Sequence, residues 1–548
     1  MKWKNYLTVF LIMFTSCYSI YGQSYGLTTF NSESFSGYTL FSQLADTTTY
    51  LIDNCGNVVH KWEVKTKPGN SQYLLEDGSL LRCGKDISNA EFNKGGQGGI
   101  IEIIDWQGNY LWEYTYSNLN VRQHHDIAPL PNGNILVLAW EKKDGQNAVS
   151  NGRDPSILSD NELWPEHIVE IEPIYPNGGN IVWEWHIWNH LIQDFDNSQN
   201  NFGVIEDHPE LMNINAYSGN GGKDWLHGNS IDYNESLDQI MLSFRALNEI
   251  IVIDHSTTIL EAASHSGGNS NQGGDILYRW GNPNNYGRGS SADQKLFGQH
   301  DVHWIDNGLS HEGKIQLFNN QNPGDFSSIG ILFPPENGYN YDTALSSPFL
   351  PDAFDWEYQS NPATDFYSSR ISGSQMLPNN NILICEGTTG RLFEINDQND
   401  VVWEYEVPID AGEPVDQNTT SNVGNSVFRV TKYPIDYAAF TGEDLSSQGV
   451  LELNATINLC DSIYSSITEA TESFEIYPNP SKDRLNVITS SLIDHLRILS
   501  LDGKMLQHIQ SINTKNYSLL TRELPSGAYL CVITLYDGER ISKSFFKD

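Results

Sequence analysis

The feature that most narrows the possible folds is a phrase that returns six times along the chain. It is an apolar strand, a polar turn, and a second strand ending in Trp-Glu-aromatic or a worn form of it. The copies span 50–63 ("YLIDNCGNVVHKWE"), 101–114 ("IEIIDWQGNYLWEY"), 169–185, 276–282, 353–358 and 392–405 ("LFEINDQNDVVWEY"). Their tryptophans are Trp62, Trp112, Trp183, Trp280, Trp356 and Trp403, with the fourth and fifth copies degenerate. A second phrase, a turn followed by a short apolar strand, precedes most copies: "LLEDGSLLRCG" (74–84), "PLPNGNILVLAW" (129–140), 232–245, 304–320 and "MLPNNNILICEG" (376–387). Asn-Gly and Asp-Gly between apolar runs mark hairpins.

About four strands per repeated unit, with strands apolar on both faces, describe an all-β, six-bladed β-propeller. Turn phrases number five and Trp phrases six, so the missing inner strand is assigned to "NSVFRVTKYP" (425–434). The first blade then draws on both chain ends, which closes the ring and removes open sheet edges. Insertions at 141–166 and 186–224 interrupt the rhythm. Segments of that length inside one architecture often roof a binding site.

Composition limits the partners. The formal charge is −38, and no basic run follows the first few residues, which excludes nucleic acid and anionic membrane surfaces. The opening 22 residues read as an export signal, with Lys2 and Lys4 before the apolar stretch Tyr6–Phe14 and Gly22 as the cleavage point. No later apolar run is long enough for a transmembrane segment. Cys83 and Cys385 end apolar strands and read as buried thiols. Export permits a disulfide, for which Cys55 and Cys460 are the possible pair.

Superposing the turn phrases and counting back five residues lands on His125, His227, His300, Ser372 and Asn70. Three of these five positions are histidine in a chain with 15 histidines in 548 residues. A residue that opens an innermost strand faces the central channel, so distant positions converge there. Arg370 lies two residues before Ser372, and Asn319-Asn320 close the strand that His300 opens. Imidazoles, a cation and amides around a channel suit an anionic oxygen. Asp126 and Asp301 follow His125 and His300 and are the candidate orienting carboxylates, while His124 falls out of phase. Two chemistries stay open on these residues. The three histidines could hold a metal for hydrolysis or lysis, or one neutral imidazole could be the nucleophile.

The phrases "RQHHDIAPLPNGNILVL", "DWLHGNSIDY", "GQHDVHWID" and "NSVFRVTKYP" resemble the bacterial arylsulfate sulfotransferase family over about residues 37–435. The resemblance implies an exported propeller that moves a sulfuryl group from a phenolic sulfate ester to a phenol. It implies a ping-pong histidine mechanism with no nucleotide donor and no cofactor. It carries a sulfuryl-binding or acid–base role to His227 and His300, and binding roles to Arg370, Asn319, Asn320 and Asn229. The position expected to hold a further histidine is Ser372, which leaves His125 as the nucleophile or the chain as a non-catalytic binding propeller.

Residues 436–471 are polar and read as a linker after a propeller spanning 23–435. Short alternating strands with Asp-Gly turns over 472–548 then predict a small β-sandwich. Its phrases "YPNP", "LDGK" and "LPSGAY" resemble the type IX secretion sorting domain of Bacteroidetes. That implies the secretion machinery as a partner and a secreted or cell-surface location.

Overall fold

The structure, a computed structural model, describes residues 24–548 except 217–221, 344–345, 422–423, 457–458, 461–473, 501–504, 510–511, 523 and 536–539. The export signal therefore lies outside the described residues. Two compact units divide the chain, Met1–Ile457 and Asn458–Asp548. Among the described residues no helix is long and apolar enough to cross a membrane.

The first unit is all-β, as the repeat predicts. Six antiparallel sheets follow one another, each with four strands except the last, which has five. The first comprises Thr431–Pro434, Gly37–Ser42, Thr48–Ile52 and Val58–Glu63, so its first strand comes from the far end of the chain. The second runs from Pro68–Leu74 to Tyr110–Thr115, the third from Val121–Pro129 to Gly178–His186, and the fourth from Gly228–Asn234 to Ile276–Trp280. The fifth runs from His300–Trp304 to Trp356–Tyr358. The sixth runs from Gly373–Met376 to Val401–Glu406 and adds Gly26–Phe30 at its outer edge.

The recurring tryptophan explains itself once the sheets are in place. Five of the six indoles are buried, and the N–H of each of these donates to the outer turn of the next sheet. Trp62 reaches the Asp105 carbonyl at 3.0 Å, Trp112 reaches Gly178 at 2.7 Å, and Trp183 reaches Thr257 Oγ1 at 3.1 Å. Trp280 reaches the Pro351 carbonyl at 2.7 Å. Trp403, from the sixth sheet, reaches Asn54 of the first at 2.8 Å, so the chain of latches returns to its start. A large ring that excludes water and a single donor that fits one carbonyl give both burial and registry. Trp356, in the degenerate fifth copy, packs against the apolar cluster around Phe393 instead.

The first strands of neighbouring sheets also touch. Ile231 N donates to Asp126 Oδ2 at 3.3 Å, Val302 N to Ser230 Oγ at 3.1 Å, and Ser374 N to Asp301 Oδ2 at 2.8 Å. At the junction of last and first sheets, Lys432 Nζ donates to Glu394 Oε2 at 2.9 Å with both side chains fully buried.

Residues after Asp436 do not leave the first unit at once. Ala439 and Phe440 are buried with Trp106, Gln448 N donates to the Val58 carbonyl at 2.8 Å, and Leu453 N to that of Val415 at 2.8 Å. Cys55 and Cys460 are each disulfide-bonded, whereas, among the described residues, Cys83, Cys385 and Cys531 are free and buried. The second unit is one curled sheet organised by the 17-residue strand Arg484–Ser500. Its first half pairs with Phe474–Tyr477 and Thr514–Leu520, and its second half with Met505–Ile509 and Gly527–Leu535. Leu485, Val487, Leu496, Cys531, Ile533 and Phe545 form its core.

Replacing Trp403 by Phe removes the latch that closes the ring. We expect a loss of about 1–3 kcal/mol, one hydrogen bond plus lost packing, read as a lower urea midpoint; an unchanged midpoint would show that closure does not depend on this indole.

Candidate active site

The innermost strands begin with backbone in the left-handed region. Asn70 has φ +94°, His125 +53°, His227 +52°, Asp301 +54° and Ser372 +88°. Such conformations are unfavourable away from glycine and cluster where the surrounding structure enforces them. Here they turn the chain from a connecting loop into the strand, and they aim the adjoining side chains at the axis.

The strand pairing revises one part of the sequence register. Ile127 pairs with Val137 and Ile231 with Leu242, which places Asn229, not His227, at the phase of His125. The register of the fourth sheet lies two residues later than the turn phrase suggests, with Tyr233 opposite Ile240 and Asn234 opposite Gln239. His227 sits two residues earlier, yet it still reaches the site because its left-handed backbone swings the ring inward.

His125 and His227 meet edge to face with ring centroids 4.7 Å apart. His227 Nδ1 lies 2.6 Å from Asp224 Oδ2, and Trp140 Nε1 donates to Asp224 Oδ1 at 2.9 Å. That carboxylate fixes the His227 tautomer and leaves Nε2 facing the site. His125 Nδ1 lies 2.9 Å from His124 Nδ1, and His124 stacks on Trp140 at 3.9 Å. Burial, helped by His227, His124, His300 and Arg245 nearby, holds His125 well below the ordinary imidazole range. It is neutral at physiological pH. Gly96 lies flat against this ring: a Cβ there would stand 1.9 Å from His125 Cε1, and its φ is +79°. Under the pair, Glu166 Oε1 accepts from Gly228 N at 2.6 Å, and burial beside Asp224 raises its carboxyl well above the usual value.

His300 has both ring nitrogens committed. Nδ1 donates to Asn320 Oδ1 at 2.8 Å and lies 3.0 Å from the Gly298 carbonyl, while Nε2 accepts from Ile371 N at 3.1 Å. Burial, then Arg245, keeps it neutral. Its geometry suits holding the 370–372 segment more than moving protons. Asn320 completes the clamp by donating to the carbonyls of Ser368 and Ile371, each at 2.9 Å. The three channel histidines thus do not point their lone pairs at one centre.

Two cations face this cluster. Arg370 is exposed, as a residue at a channel mouth can be. Arg245, missed in the sequence reading, is half-buried and close enough to shift His125 and His300. Burial, with Arg370 nearby, pulls its own value down, and Asp224 opposes that. No hydrogen bond or ion pair occupies either guanidinium among the described residues. The signal was legible: Arg245 follows the second strand of the fourth sheet as Asn319-Asn320 end that of the fifth.

The remaining sequence candidates serve the scaffold. Asp126 and Asp301 do not pair with His125 and His300; they share Arg429, whose Nη2 is 2.9 Å from Asp126 Oδ2 and whose Nε is 2.6 Å from Asp301 Oδ1. Tyr73 adds its hydroxyl, donating to Asp126 Oδ1 at 2.8 Å and accepting from Arg429 Nη1 at 3.0 Å. Asn319 ties down Phe297 N, the Lys295 carbonyl and Asn322. Asn229 Nδ2 donates to the Gln299 carbonyl at 2.7 Å, leaving its Oδ1 buried and unpaired. Ser372 Oγ accepts from Gly387 N at 2.9 Å and donates to Ser368 Oγ.

Residues 22–429 match the family model described as arylsulfotransferase, and residues 475–547 match a secretion system C-terminal sorting domain. No curated protein matches the chain. Among solved structures, a protein of unknown function from Bacteroides caccae is similar at 12% identity, covering 72% of this chain and 98% of its own, with a TM-score of 0.39. Virginiamycin B lyase from Staphylococcus aureus is 13% identical over 72% of this chain and 91% of its own, TM-score 0.30. The periplasmic gluconolactonase of Pseudomonas aeruginosa is 10% identical over 69% and 97%, TM-score 0.36. The family match covers most of the chain, which belongs to the arylsulfotransferase family and ends in a sorting domain.

Substituting Arg429 by Met leaves two buried carboxylates without a cation. A loss of about 3–5 kcal/mol is expected, read by denaturant titration; a variant as stable as the parent would remove Arg429 from the centre of the fold.

Proposed function

We propose that this arylsulfotransferase-family protein is exported and transfers a sulfuryl group from an aryl sulfate to a phenol, with His125 as nucleophile and His227 as acid and base. The observation that carries the reading is the His125–His227 pair, in which one imidazole is buried and neutral and the other is backed by Asp224. A neutral imidazole has the lone pair that attack on sulfur needs. An imidazole backed by a carboxylate can hold a proton and pass it on.

In the first half-reaction His125 Nε2 forms a bond to sulfur as the bond from sulfur to the aryl oxygen breaks. The leaving phenolate takes a proton from His227 Nε2. In the second, an acceptor phenol gives its proton to His227 and attacks sulfur, and the nitrogen–sulfur bond breaks. Arg245 and Arg370 offset the charge on the non-bridging oxygens. They also give an anionic substrate local attraction in a chain of net charge −38, because a nearby unpaired cation pair can outweigh a distant diffuse field. His300 and Asn320 act as positioning residues by holding the backbone beside Arg370. The sorting domain supports a secreted or surface location and contact with a secretion machinery.

A chromogenic aryl sulfate, with and without added phenol, tests the reading. Release should depend on the acceptor, and His125→Ala and His227→Ala should each lower it by about 10²-fold or more. A sulfated peptide carrying residue 125 should be trapped in the absence of phenol in the parent and not in His125→Ala. Release without any acceptor would identify a hydrolase, and no release from any donor would favour a binding protein.

Gly96→Ala should lower turnover and also cost about 1 kcal/mol or more of stability, since its Cβ would strike the buried His125 ring and its φ of +79° is strained for a residue with a side chain. Equal turnover in the variant would show that the ring position is not critical.

A further inference from the structure

Away from the channel, three groups that can ligate a metal converge where the loop after the third sheet meets an excursion from the fourth. His190 follows the short turn Ile187–Asn189, His265 lies beyond the one-turn helix Ile259–Ala262, and Asp275 immediately precedes the strand Ile276–Trp280. Their ligand atoms all lie within 4.8 Å of one another, and among the described residues theirs is the only such group of three. From this convergence we propose that His190, His265 and Asp275 bind a divalent transition metal of the zinc type, which braces the 258–275 excursion against the 187–192 loop.

The hydrogen bonds around His190 carry the argument. Its Nε2 lies 2.8 Å from the Ala262 carbonyl oxygen, which can only accept, so Nε2 bears the proton. A neutral His190 then turns the Nδ1 lone pair toward Asp275 Oδ1, 2.8 Å away. His265 Nδ1 approaches the same oxygen at 2.7 Å. Two imidazole nitrogens and a carboxylate oxygen facing one another need a positive charge among them, and a cation bound by all three supplies it. A ligating histidine that donates its other nitrogen to a backbone carbonyl is the usual outer-sphere arrangement of metal sites. Two nitrogens and one oxygen suit zinc-like ions better than magnesium or calcium.

The surroundings preorganise the site. His190 is fully buried and stacks on Trp185 at 5.8 Å, whose Nε1 donates to the Gly274 carbonyl at 2.7 Å. Gly274 admits no side chain: a Cβ would stand 2.0 Å from the Ala262 oxygen and 2.7 Å from His190 Nε2. The His265 side chain is 62% exposed, so water can complete the coordination and the ion has a way in.

Calorimetry of the metal-free full-length exported protein with Zn2+ alone tests the assignment. We expect one saturable zinc per chain, with affinity reduced at least about tenfold in His265→Ala and Asp275→Asn and falling as pH drops and the imidazoles take up protons. Zinc should raise the Tm of the parent and not that of His265→Ala. Because His265 is exposed, its variant keeps the fold, and equal Tm values without metal would verify that. No saturable uptake would leave a plain His-Asp-His ion pair and overturn the proposal. Uptake of equal affinity in His265→Ala would place the ion elsewhere and overturn it too. Neither result bears on the aryl sulfate assay.

Discussion

Arg429 between Asp126 and Asp301 is the interaction on which the rest depends. Its guanidinium comes from the segment that closes the ring, while its two carboxylates belong to the first strands of the third and fifth sheets. The same carboxylates accept the Ile231 and Ser374 amides of the fourth and sixth, and Tyr73 joins from the second. A buried cation shared by two buried anions is costly to desolvate and tolerable only when each lone pair finds a donor. That condition is met only when the sheets are arranged around a common axis. Ring closure and the shape of the channel are therefore one event.

This arrangement also explains the electrostatics of the site above it. Arg429 is neutralised by its partners and contributes no net attraction for an anion. Arg245 and Arg370 keep their charge free. Burial, reinforced by Arg245, keeps His125 and His300 unprotonated, while Asp224 accepts the Nδ1 side of His227. Histidines of one type in one small volume thus differ in the charge they can carry, because each meets a different neighbour.

Much of the fold was legible in the sequence because its signal is periodic. The Trp phrase marks the outer strands of each sheet, and its meaning, an indole latched to the next sheet, follows from one donor in a large apolar ring. The need for a strand from 425–434 was also readable, because an unpaired inner position had to be filled. The register of the fourth sheet was not, since a hairpin two residues further on moves every count, and it moved Asn229 into the place assigned to His227. Asp126 and Asp301 were singled out for the right reason, adjacency to a phased position, and given the wrong partner. A strand points neighbours to opposite faces, and Asp126 and Asp301 point to Arg429 rather than to the histidines they follow.

By itself the sequence determined an all-β repeat, closure by both ends, a family resemblance and the residue types gathered at the channel. Those rest on local patterns, which chain order preserves. Only the tertiary structure decided that Asp224 backs His227, that Arg429 belongs to the carboxylates, and that Arg245 and Arg370 stand free. It also brought His190, His265 and Asp275 together. Apart from Asp224 with His227 and His265 with Asp275, which are near in sequence, these are pairings between sheets and loops far apart along the chain, and no local period encodes which side chains meet across an axis.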